Sequence, residues 1–222
     1  MSTDAEFWHG RWQEGFTPWH EGRVNRCLER HFALLGLAED ALVLAPLCGK
    51  AVDMRWLLEQ RCRVLGVELS PIAARAFFED HGLRFEEREE GPFTVLEGER
   101  LSILCGDFFD LTAAHLAQVG AVYDRAAVGA LDVPERGRYA ALLCERLPVG
   151  VPQLVITLEY DRQRMEGPPF SVGDADMRRL YDTRYGLRTL ESSDVLDDYP
   201  RFRERGLDAL TEHAFLMLDN GG

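Results

Sequence analysis

Glu68 lies 19 residues beyond Gly49, close to the interval of roughly 20 residues at which an acidic side chain meets ribose hydroxyls in dinucleotide folds. A carboxylate suits that task because it accepts hydrogen bonds from both hydroxyls of a cis-diol. The competing role for Glu68 is structural, capping the next helix through Ser70. The loop between the two positions separates the cofactor options. A dinucleotide site uses G-x-G-x-x-G so that the backbone can close on a pyrophosphate. Here Pro46-Leu47-Cys48-Gly49-Lys50 supplies only Gly49, which disfavours NAD and FAD. A P-loop fails as well, because Leu44 stands where its first glycine belongs and Ala51 where magnesium needs a hydroxyl. What remains is a nucleoside cofactor without phosphate, and S-adenosylmethionine fits.

Other polar residues stand at the ends of apolar runs: Asp107, Asp124-Arg125 and Tyr160-Asp161. In a doubly wound sheet such strand ends meet the ligand. Cys48 is a conceivable nucleophile, but no partnered histidine is evident and small-residue packing explains it better. Before the first strand, Phe7-Trp8-His9-Gly10-Arg11-Trp12 and Phe16-Thr17-Pro18-Trp19-His20 hold three of the four tryptophans. That segment reads either as a hydrophobic staple onto the core or as a lid whose aromatic faces hold a sulfonium cation. His9 and His20 are then candidate bases, or simply exposed lid histidines.

Alternating elements must carry these residues. Val24, Cys27, Leu28, His31, Phe32 and Leu35 make one helical stripe. Strands are expected at 41–45, 63–68, 93–97, 101–105, 120–124, 153–160, 187–190 and 211–218. Helices are expected from Ala51 to about Gln60, from the Ser70-Pro71 cap to about Asp80, and from Asp174 to Tyr185. Another opens at Asp132-Val133-Pro134-Glu135, which resembles a capping box. The alternation implies an α/β fold, a doubly wound and mostly parallel sheet covered on both faces. With no linker or repeat in 222 residues, the chain reads as one domain, a lid segment at 1–21 and an α/β core at 22–222.

The 38 acidic against 25 basic residues give a net charge of −13, which makes nucleic acid and anionic membranes poor partners. Five scattered cysteines show neither C-x-x-C nor metal-ligand spacing, so no metal site or disulfide framework is expected. The acidic N-terminus lacks a signal-peptide core and no apolar run reaches membrane length. A cytoplasmic monomer is expected.

Beyond these generic signals, six strings resemble the thiopurine S-methyltransferase family, bacterial type. They are Phe7-Trp8-His9-x-Arg11-Trp12, Pro46-Leu47-Cys48-Gly49-Lys50, Gly66-Val67-Glu68-Leu69-Ser70, Cys105-Gly106-Asp107-Phe108-Phe109, Tyr123-Asp124-Arg125-Ala126-Ala127 and Gly167-Pro168-Pro169-Phe170-Ser171-Val172. Pro200-Arg201-Phe202-Arg203 and Gly206-Leu207 extend the similarity toward the C-terminus. The resemblance implies a Rossmann-like class I methyltransferase sheet of seven strands. It implies that Trp12, Leu47, Glu68 and Arg125 contact S-adenosylmethionine, with Gly106 and Asp107 near the adenine. It also places Trp19 at the acceptor pocket, where the family commonly carries Phe before His, and gives Pro169 and Phe170 to the acceptor wall.

The implied reaction is attack of a small thiol, or a selenium or tellurium nucleophile, on the sulfonium methyl. A guanidinium beside the acceptor would favour its ionised form. Arg125, and secondarily Arg201, carry that expectation; for Arg125 the alternative is a salt bridge to Asp124, for Arg201 a surface ion pair. Two other functions share the features: a nicotinamide-dependent oxidoreductase and a non-catalytic nucleoside-cofactor-binding protein.

Overall fold

The computed structural model describes residues 5–125 and 127–221. The acidic start at 1–4 and Ala126 of the Tyr123–Ala127 string lie outside the described residues. The strands are β1 (Leu42–Pro46), β2 (Arg63–Glu68), β3 (Glu86–Glu90), β4 (Phe93–Glu97), β5 (Leu101–Cys105), β6 (Val119–Arg125), β7 (Gln153–Glu159), β8 (Tyr185–Asp194) and β9 (Thr211–Asp219). They form one sheet in the order β3-β4-β5-β2-β1-β6-β7-β9-β8. The central pairings β5–β2, β2–β1, β1–β6 and β6–β7 are parallel, and the flanking ones are antiparallel.

The expected seven strands are therefore nine among the described residues. β4 falls on the strand expected at 93–97, and the strand that no sequence signal announces is β3, which pairs with β4 as a hairpin laid against β5. Its outer strand is Glu86-Glu87-Arg88-Glu89-Glu90, with no apolar residue to announce it, and it sits at the sheet edge. Charge on an edge strand discourages pairing with a second sheet. At the opposite edge, β8 begins at Tyr185 rather than Leu187 and runs to Asp194. Its half-exposed face dilutes the alternation that marks a strand.

Helices are α1 (Ala5–Gln13), α2 (Arg26–His31), α3 (Val52–Glu59), α4 (Pro71–Asp80), α5 (Ala113–Leu116), α6 (Ala127–Ala130), α7 (Val133–Arg146), α8 (Asp174–Tyr181) and α9 (Pro200–Glu204). The stripe from Val24 to Leu35 is split: Asn25 caps α2 through Cys27 N–H at 2.8 Å, and a 3-10 turn covers Phe32–Leu35. His31 on that stripe meets Glu191 at 3.2 Å. Asp132 caps α7 by accepting Glu135 N–H at 3.0 Å. The helix expected to reach Tyr185 stops at Tyr181.

Adjacent residues of the parallel strands feed two cores. Leu44, Val67 and Val155 enter one, and Val43, Val64 and Leu154 the other. That is why these strands read as continuous apolar runs. A third cluster, including Tyr160, Met165, Leu196, Phe202, Leu207 and Leu210, anchors the segment that carries Tyr199 and Arg201. No helix among the described residues is long and apolar enough to cross a membrane.

Candidate active site

The carboxyl ends of β1, β2 and β5 form the first half of the site. Leu47 and Gly49 both have left-handed backbone, with φ of +45° and +53°, so the chain turns sharply out of β1. That turn aims Gly49 N–H at Glu68 Oε2, 2.7 Å away, while Glu68 Oε1 accepts Ser70 N–H at 2.8 Å. Glu68 is buried. Burial pushes its pKa up, and the Ser70 and Gly49 N–H groups work against that rise. The structural role weighed for Glu68 is thus present, although the Ser70 hydroxyl itself finds no partner and does not cap α4.

Neighbouring side chains complete this half. A Cβ on Gly66 would stand 2.9 Å from Cys48 Sγ, so the thiol fills the space above that glycine. Burial raises the Cys48 pKa well above its usual value, which makes it a poor nucleophile. Gly106 donates to the Glu68 carbonyl at 2.9 Å. Its missing side chain is explained by Phe93, whose ring would lie 2.6 Å from a Cβ there. Asp107 is exposed and caps a short turn through Phe109 N–H at 2.9 Å.

The N-terminal segment closes over this edge. Trp12 is buried, and its ring lies 3.2 Å from the Cβ position of Gly49. Trp19 packs edge-on against Trp8 at 5.1 Å and Trp12 at 6.0 Å. His20 donates its backbone N–H to Thr17; burial, then the charges of Lys50 and Arg125, lower its pKa and favour the neutral ring.

Arg125, at the end of β6, reaches up to this segment. Its guanidinium pairs with Glu21 and lies 3.5 Å from the Trp19 carbonyl. Glu21 also accepts the Tyr199 hydroxyl at 2.7 Å. The salt bridge to Asp124 considered from sequence is not made. Asp124 is buried and turned the other way, accepting Tyr139 OH at 2.7 Å and Ala127 N–H at 2.9 Å. Burial pushes its pKa up to about 6. Burial would also lower the Arg125 pKa, but the charges of Glu21 and Asp53 overcome this and keep it raised.

Arg201, on α9, stacks over Tyr199 at 5.5 Å and Phe202 at 4.8 Å. The surface ion pair considered for it is not formed among the described residues; burial lowers its pKa. The loop Gly167–Val172 is fastened from several sides. Phe170 N–H donates to the Gly129 carbonyl at 2.7 Å, and the Pro169 carbonyl accepts Tyr160 OH at 2.6 Å.

A family model described as thiopurine S-methyltransferase (TPMT) matches residues 3–220. The chain belongs to the thiopurine S-methyltransferase family. It is 45% identical over 212 residues to a thiopurine S-methyltransferase of Azotobacter vinelandii, covering 96% of this chain and 97% of the relative. A Pseudomonas entomophila thiopurine S-methyltransferase is 43% identical over 214 residues, with 96% and 99% covered. Among solved structures, the Burkholderia thailandensis 1,6-didemethyltoxoflavin-N1-methyltransferase has a TM-score of 0.63 at 18% identity, covering 97% of this chain and 86% of that one. Likeness at that identity establishes the fold.

Membership of the thiopurine S-methyltransferase family bears out the expected methyltransferase enzyme and its class I fold. It removes the nicotinamide-dependent oxidoreductase. Of the residues singled out from sequence, five form one chain of contacts: Glu68 to Gly49, Gly49 to Trp12, Trp12 to Trp19, Trp19 to Arg125; Asp107, Pro169 and Phe170 are tied instead to Phe109, Tyr160 and Gly129. Arg201 joins through Tyr199 and Glu21. Sequence reasoning passes over Glu21 and Tyr199. Neither sits in a family string or at a strand end, and their partners lie 104 and 178 residues away.

Proposed function

We propose that this protein transfers the methyl group of S-adenosylmethionine to small aromatic or heterocyclic thiols such as thiopurines, and to comparable selenium or tellurium nucleophiles. The observation that carries the reading is Glu68: each carboxylate oxygen accepts one backbone N–H, at 2.7 and 2.8 Å, which leaves each a lone pair for a ribose hydroxyl. That pair of acceptors fits the cofactor. Trp12, Leu47 and Arg125 would hold the methionine and sulfonium portion, with Gly106 and Asp107 beside the adenine. When bound, the cofactor supplies an electrophilic methyl on a sulfonium.

The chain's own residues have three tasks. Trp12 and Trp19 exclude water and narrow the approach so that donor and acceptor sulfur align. Pro169 and Phe170, on the fastened loop, form the opposite wall. Arg125 and Arg201 favour the ionised acceptor, and a drier site assists because opposite charges cancel as the bond forms. We place the reaction in a single domain, residues 1–21 acting as the lid, working as a cytoplasmic monomer on small molecules rather than on nucleic acid or membranes.

Titration of the purified protein with S-adenosylmethionine tests the first half. Saturable binding that Glu68→Ala abolishes is expected; no binding, or binding indifferent to that change, overturns it. Transfer of labelled methyl to an aromatic thiol, selenite and tellurite tests the second half.

A further inference from the structure

Arg125 is the group assigned above to the acceptor's charge, yet its own charge is already answered. Glu21 forms an ion pair with it at the mouth of the site, and both side chains are largely buried, at 16% and 15% exposure. The same Glu21 oxygen accepts the Tyr199 hydroxyl at 2.7 Å, and its second oxygen lies 3.5 Å from Arg23. Burial works to raise the Glu21 pKa, but the Arg125 charge and the Tyr199 hydroxyl overcome it and hold the carboxyl below its usual range. Further groups acting on it are Asp53 on α3, Arg201 on α9 and Glu212 on β9.

A counter-ion held against a guanidinium and shielded from solvent cancels part of its pull on a third charge a few ångströms away. An acceptor approaching Arg125 meets attraction from the guanidinium and repulsion from the carboxylate behind it. Arg201 is the contrasting cation, stacked on Tyr199 and Phe202 with no acidic partner within ion-pair distance among the described residues. The thiolate of a monoanionic acceptor can use Arg201, on which Glu21 acts only from beyond ion-pair distance, whereas a second permanent negative charge would have to compete with Glu21 for Arg125.

We infer that Glu21 is a specificity-determining residue: by neutralising Arg125 it selects acceptors whose only negative charge is the reacting sulfur, and disfavours those bearing an additional carboxylate. This rests on the proposed function, in which Arg125 faces the acceptor. Glu21 touches neither cofactor nor reacting atoms in this account; it acts through Arg125.

The test compares thiosalicylate with its uncharged methyl ester, measuring kcat/KM for each with labelled S-adenosylmethionine. In the wild-type protein the ester is expected to be preferred. Glu21→Gln removes the charge with little change of shape, and should raise the thiosalicylate-to-ester ratio by about fivefold, the size expected for one charge removed at a distance of several ångströms. Glu21→Asp, which keeps the charge, should return the ratio toward wild type. Tyr199→Phe removes the hydroxyl without altering charge and should leave the ratio as it is. A structural role alone would lower both kcat/KM values together, so an unchanged ratio in Glu21→Gln overturns the inference. If Glu21→Gln does not fold, Glu21→Ala supplies the same comparison. Wild-type protein that methylates neither thiol, while still binding S-adenosylmethionine, would sink the functional reading itself and this inference with it.

Discussion

Phe93 decides what residue 106 can be. Its ring atoms lie 2.6 and 3.1 Å from a Cβ built on Gly106, and the Pro92 carbonyl lies at 3.1 Å. Because the ring is fully buried, it has nowhere to retreat. Gly106→Ala is expected to cost about 1–3 kcal/mol, the usual range for overpacking, read from urea denaturation. Combining it with Phe93→Leu should recover part of that loss, because contacting sites are not additive. Gly49 is constrained differently: its φ of +53° and the Trp12 ring 3.2 Å away both oppose a side chain. Gly49→Ala should cost about 1–2 kcal/mol and blue-shifted tryptophan emission should move toward the red as Trp12 is displaced. An unchanged spectrum would show that Trp12 does not rest on this turn.

Among the elements, the N-terminal segment is held by a carboxylate whose pKa is lowered on docking. The sign follows directly: a group with a depressed folded pKa contributes stability above its unfolded pKa and loses it as pH falls through the folded value. Docking of residues 5–21 should therefore weaken as pH falls through the usual carboxylate range and be lost below it. Tryptophan emission reports this well, since three of the four tryptophans lie in this segment. Glu21→Gln should remove the acid step, and a step that survives would assign it to another group. At the other end of the sheet, Arg184 donates to the carbonyls of Leu143, Cys144, Leu147 and Pro148 and pairs with Asp219 at 2.8 Å. It gathers carbonyls from the last turn of α7 and from the two residues after it, among them the Cys144 carbonyl that the helix end leaves open. Arg184→Met should lower stability by about 3 kcal/mol in denaturant melts, with cofactor binding kept.

How far such elements are legible follows from where their signals come from. The β1 and β2 strands announce themselves because both faces are buried, and Glu68 because its spacing from Gly49 is local. The β3 strand is silent because an exposed edge needs no apolar residue. Glu21 is silent because its meaning is Arg125 and Tyr199, partners set by the tertiary fold. The same distance hides that Asp124, beside Arg125 in sequence, faces Tyr139 instead.

For the whole molecule, the sheet edges are where a second copy could add a strand. The β3 edge carries Glu86, Glu87, Glu89 and Glu90 with Arg88, so that an approaching strand meets like charge. Glu87→Val with Glu89→Val should leave the fold intact and produce concentration-dependent association in size-exclusion chromatography; a species unchanged with concentration would show that the edge is protected by other means. The ion pair at Glu21 has a consequence of another kind. Its carboxylate is joined to a hydroxyl that the ribosome adds 178 residues later. A nascent chain can complete the β1–β2 half of the cleft long before Tyr199 and Arg201 emerge. Until then the door has no latch, and the order of translation itself separates forming the Glu68 turn from closing the Glu21 contacts.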